Sequence, residues 1–123
     1  MSIRLLLFAM LGFSVPALAQ RVPPTDTDLR AAYCIRMLHY ESQRDQAAVN
    51  SVETERKLRE TQARLDRVMA FVTPRLAYLD SAPIVAAFAQ ADADIAVLET
   101  KPVSQDVAVR LKPCEQVTWL PSY

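Results

Sequence analysis

The chain has 123 residues, fourteen Lys and Arg against fourteen Asp and Glu, a formal net charge of zero, and 51% hydrophobic residues. That length holds one small domain, and the neutral balance offers no electrostatic footprint for nucleic acid or an anionic membrane. The single glycine, Gly12, excludes Gly-rich phosphate loops and a G-x-S-x-G nucleophile elbow and leaves few ways to close tight β-hairpins, so a mainly helical protein is expected.

The first twenty residues read MSIRLLLFAMLGFSVPALAQ. Arg4 supplies a basic start, Leu5 to Val15 an apolar run, and Ala17-Leu18-Ala19 a small-x-small cleavage site. These are the parts of a secretory signal peptide, in order. Residues 1–19 are expected to be removed, leaving Gln20 first in one helical domain over 20–123. The apolar run is shorter than the ~18 residues of a membrane span, and no later stretch comes closer. The mature chain is therefore expected to have no stable membrane span and to be secreted or periplasmic.

Pro23 and Pro24 end a short tail, and the next proline is Pro74. No helix breaker lies between, so a long helix is predicted over about 27–72, with Thr25 or Asp26 as N-cap and Asp28 in its first turn. Its first part is apolar on two sides. Leu29, Tyr33, Met37 and Tyr40 form one stripe and Ala31, Cys34 and Leu38 another, which calls for neighbours on both. Residues 41–57 are mostly polar, and Asn50 with Glu53 offers a second cap there, should the helix break.

A heptad follows. Leu58, Leu65, Val72 and Leu79 lie seven apart, with Met69 and Leu76 as companions and Gln62 as the one polar member. Leu58, Leu65, Met69, Val72, Leu76 and Leu79 are the predicted interaction face, for self-association or a protein partner. Glu53–Lys57, Glu55–Arg59 and Glu60–Arg64 are spaced as exposed intrahelical pairs with the acid first. Pro74 ends or kinks the helix near Thr73.

Ser81 and Pro83 announce a second helix over about 83–100, whose stripe is Ile84, Phe88, Ala91, Ile95 and Leu98. Its expected partner is the 58–79 seam. The tail, 101–123, reads either way: Val107, Val109 and Leu111 alternate as in a strand, while Val103, Val107 and Leu111 keep helical spacing. Val117, Trp119 and Leu120 should pack onto the helices.

Three potential metal ligands, Cys34, Met37 and His39, fall within six residues. On a helix Cys34 and Met37 share a face, but His39 points elsewhere. A c-type haem motif and a C-x-x-C are absent, and three Cys or His in the whole chain are too few for a structural zinc site. A thiol enzyme would need a histidine base near Cys34. Ala91-Asp92-Ala93-Asp94 lacks the glycine and closing glutamate of a calcium loop. No catalytic, metal or cofactor residue is assigned, and an enzyme is not supported. Cys34 instead finds its partner in Cys114, the default in an oxidising compartment.

That bond sets a condition on the fold. A straight helix over 27–72 puts Cys34 ~57 Å from the hairpin end, against ~27 Å of return helix and ~43 Å of extended tail. Either the tail is extended or the first helix breaks, and the unbroken run of charge spacings favours the extended tail. The predicted architecture is all-α in the main: a long antiparallel helical hairpin, coiled-coil-like, with an extended C-terminal tail tied by Cys34–Cys114. The expected role is protein–protein contact, as an adaptor, chaperone-like or envelope assembly factor. The alternative is a small secreted hydrolase or metal-binding protein with a site assembled in space.

Overall fold

A computed structural model of the chain describes residues 21–121. The predicted signal peptide and Gln20 lie outside the described residues. Among the described residues four α-helices follow one another: α1 (Asp26–Ala47), α2 (Val52–Val72), α3 (Ser81–Thr100) and α4 (Gln105–Glu115), with a short 3-10 turn at Thr73–Ala77. The fold is mainly helical, as expected. Its centre is α1, against which α2, α3 and α4 all pack.

The start of α1 is held twice. Thr25 accepts a hydrogen bond from the Asp28 backbone N–H, and the Asp28 carboxylate accepts from the Thr25 N–H, a reciprocal capping box. Asp28 is fully buried and also receives Arg75 at 2.6 and 3.0 Å, so one carboxylate joins the helix start to the α2–α3 connection. The Arg75 hydrogen bonds hold its carboxyl below the usual range despite burial. The preceding segment docks beside the same connection: Val22 N–H donates to Tyr78 O, and Asp80 N–H to Val22 O, both at 2.9 Å.

The long helix expected over 27–72 is two helices. α1 stops at Ala47, and Ser51 caps α2 by accepting from the Thr54 N–H while Thr54 returns a bond to the Ser51 N–H. The cap lies one residue beyond Asn50, and Thr54 replaces Glu53 as its partner. Breaking here lets α2 fold back antiparallel on α1, which buries Val68, Phe71 and Val72 against Ala31, Cys34 and Leu38. Apolar burial of that order exceeds what a few exposed i,i+4 pairs contribute, about 0.2–0.5 kcal/mol each.

The expected charge pairs do not form. Arg56 pairs with Glu53, whereas Lys57 and Arg64 reach across to Asp45 and Glu41 on α1. The heptad face is also redistributed. Val72 and Leu79 are buried in the chain's own core, Leu65 and Leu76 pack against it, Leu58 is half-buried, and Met69 is exposed. The buried companions on α2 are Thr61 and Val68 rather than Gln62 and Met69, because an inward-facing seam steps three then four from Leu58.

α3 buries Ile84 and Ala91, with Phe88, Ile95 and Leu98 packed on the core, the stripe read from the sequence. Its main partner is α1, and the end of the 58–79 seam, Leu76 and Leu79, joins it at Ile84 and Phe88. The tail is helical rather than extended from Gln105 to Glu115. Ser104 caps it through the Val107 N–H, and Val107, Leu111 and Cys114 share its inner side. A helical tail shortens its reach, and the broken first helix compensates, so the sulfurs of Cys34 and Cys114 meet with Cα atoms 5.2 Å apart. Trp119 then closes the chain, donating its ring N–H to Pro113 O at 2.7 Å beneath the Arg30 guanidinium.

Candidate functional site

The opening trio does not converge. Cys34 is in the disulfide, Met37 is buried in the core and His39 is exposed. Among the described residues no group of three or more His, Cys, Asp or Glu is placed to hold a metal ion.

Two polar constellations went unread in the sequence. The first centres on Asp94, whose position between Ala91 and Leu98 puts it on the inner side of α3. It receives Arg110 through two bonds of 2.7 and 2.8 Å, the Tyr33 hydroxyl at 2.6 Å and the Gln90 amide at 3.0 Å. Arg110 holds the Asp94 carboxyl below its ordinary range, while burial and then Asp94 push the Tyr33 hydroxyl up. Every acceptor position is used. The network fastens α1, α3 and α4 together and leaves no group for chemistry.

The second lines a cleft of about 370 Å³ where the upper half of α1 meets the other helices. Met37, Leu98, Leu111 and Cys114 give it an apolar floor, and Glu41, Asp45 and Glu115 bring carboxylates to it. Asp45 is 8% exposed. Its Oδ2 accepts from the Thr61 hydroxyl at 2.8 Å, but Oδ1 has only the Lys57 ammonium, at 3.6 Å. Glu41 is half-buried with one long contact, 3.4 Å, to Arg64, whose buried Nε has no acceptor among the described residues. Burial lifts the Glu41 carboxyl above the usual glutamate range. Arg64 and Lys57 oppose that shift, and Asp45 and Glu115 reinforce it. Arg44, the remaining cation, lies over the Tyr40 ring.

Among the described residues Thr61 is the only hydrogen-bond donor to the Asp45 side chain. Thr61→Val keeps the shape and removes the hydroxyl. It should cost about 1–3 kcal/mol by leaving a buried carboxylate undersatisfied. Urea unfolding checks this, and a neutral result would mean that water serves Asp45 as well as Thr61 does.

A third feature is a surface. α3 is long and apolar enough by composition to cross a membrane, unlike what its sequence suggested, yet only 17% of its most apolar window is buried. Away from α1, Ala82, Val85, Ala86, Ala89, Ala93 and Ala96 are exposed. Asp92 and Glu99 border that face on one side.

The chain matches no known family model, and neither the curated proteins nor the solved structures show a similarity to it.

Proposed function

We propose that this protein acts by protein–protein contact, as an exported adaptor, chaperone-like or assembly factor, through the outer face of α3. The observation that carries the reading is a twenty-residue apolar helix left mostly exposed. An apolar face of this kind marks an interaction site more often than a solvent boundary. Small residues along it allow a second helix to approach closely. The intramolecular disulfide is compatible with an oxidising compartment, which supports the export expected from the N-terminal sequence.

Charge selects the occupant. The face is edged by Asp92 and Glu99, with Lys101 only beyond its end, so the fitting partner is a helix of another protein with small apolar residues flanked by Lys or Arg. A second α3 would bring Asp92 and Glu99 towards their own kind, at a cost. A helix lying on a membrane carries cations, not carboxylates, on its borders. The heptad face is a poorer candidate, since Val72 and Leu79 serve the chain's own core.

A photo-crosslinker at Ala93, with one at Ala63 on the exposed side of α2 as control, tests this in the native host. Adducts at position 93 alone should map to one helix with basic flanks, and Ala89→Lys should abolish them without changing the circular dichroism. Adducts only to a second copy, only to lipid, or equally at both positions would overturn it.

A further inference from the structure

We infer that the four-helix cleft is a binding site for a primary ammonium group on an unbranched apolar body, with Asp45 and Glu41 taking the charge and Met37, Leu98 and Leu111 taking the chain. Its volume, about 370 Å³, lies within the range of small-molecule sites. The apolar floor and the carboxylates stand on opposite sides of the requirement: neither a bare cation nor a neutral hydrocarbon uses both.

Two observations point to a ligand rather than to a solvated acidic patch. Asp45 is more than nine-tenths buried, lines the cleft, and makes no hydrogen bond through Oδ1. That oxygen opens on the cleft, where water or the donor of a ligand can serve it. Glu41 stands one helical turn away on the same side of α1, and its only cation contact is long. The carboxyl is held above its ordinary range by burial, so a donor placed there would draw it back down. An ammonium carries three donors and can serve both carboxylates at once.

The cations already present do not fill this role. Lys57 keeps two-thirds of its side chain in water, and an exposed pair of that length contributes little and is readily displaced. Arg64 is shared with Thr61, and Arg44 is turned onto Tyr40. Glu115, on the far side of the cleft, has no ion-pair partner among the described residues and adds negative potential at the mouth. A divalent metal is a worse fit, since among the described residues no three His, Cys, Asp or Glu are placed to hold one. The charged end has two possible sources, a free alkylamine or the side chain of a lysine.

The test is a titration of the full oxidised protein, followed by amide NMR shifts, with n-hexylammonium, n-hexanol and Nα-acetyl-lysine methylamide as probes. Saturable shifts at Glu41, Asp45, Leu98 and Leu111 are expected with the ammonium probes, at least tenfold tighter than with hexanol. Glu41→Gln, which removes a strained charge and should fold, is expected to weaken ammonium binding about tenfold, or 1.4 kcal/mol. Asp45→Asn should do the same. Tighter binding of hexylammonium identifies a free amine as the source, and tighter binding of the lysine derivative a side chain. Hexanol binding as tightly as hexylammonium, undiminished affinity in Glu41→Gln, or no saturable shifts at the cleft would each overturn the proposal.

Discussion

Cys114→Ala should lower the stability of the folded chain by roughly 4.5 kcal/mol, the chain-entropy value for closing a loop of 80 residues. For a domain near 100 residues this corresponds to a fall in Tm of about 20 °C or more. The effect should also be directional. α4 has eleven residues, below the ~12–15 at which an isolated helix is even marginal, and it buries only Val107 and Cys114. Losing the bond therefore frees α4 together with Val117, Trp119 and Leu120, before α1 and α2 separate. Urea unfolding with and without a thiol reductant measures the total, and hydrogen exchange over 105–120 measures the direction. A loss under about 1 kcal/mol would show that Arg110 and Leu111 hold α4 without help.

Arg110→Met is expected to cost about 3 kcal/mol at pH 7, at the lower end for breaking a buried pair because the Arg110 side chain is 37% exposed. The charge left behind is Asp94, which retains only Tyr33 and Gln90. The pH dependence separates this from lost packing. In the native chain the Asp94 carboxyl lies below its unfolded value, so its stabilisation is present above about pH 4 and is lost as pH falls through the folded value. Removing Arg110 takes away the largest cause of that depression and leaves burial, which raises the carboxyl, against the Tyr33 and Gln90 hydrogen bonds, which lower it, so the folded value moves up relative to the native chain. The variant should then gain relative to the native protein on acidification. Comparing urea unfolding at pH 7 and pH 3 decides it: a difference that stays constant would assign the cost to packing. Asp94→Leu combined with Arg110→Met should recover much of the loss.

Much of this fold could be read from residue pattern alone. Two cysteines in one chain have a single intramolecular pairing, and Ile84, Ala91 and Leu98 marked the inner side of α3 by spacing. The absence of glycine after Gly12 pointed to helices, and helices are what form. The break at residues 48–51 was harder to see. Ser51 and Thr54 do carry the capping signal, but acids and bases at i and i+4 run past it and read as one continuous helix. Those spacings report what is adjacent along a helix, not what a long side chain finds across the fold. Lys57 and Arg64 had better-buried partners on α1, in Asp45 and Glu41. The cleft was invisible for a related reason: its lining comes from four helices and leaves no local signature. Asp94 could have been found, since a carboxylate at an inner register between Ala91 and Leu98 requires a cation.

The placement of the two cysteines also shapes how the protein is made. One thiol sits in α1 and its mate in α4, with no other sulfhydryl in the sequence. A growing chain thus displays Cys34 long before Cys114 exists, and during that interval it has no internal partner to mispair with. Scrambling within a molecule is impossible at any stage. Erroneous products of these two cysteines join one molecule to another or to a small thiol, so yield depends on dilution and on the thiol pool, while a disulfide isomerase has no wrong pairing of the two within one chain to correct.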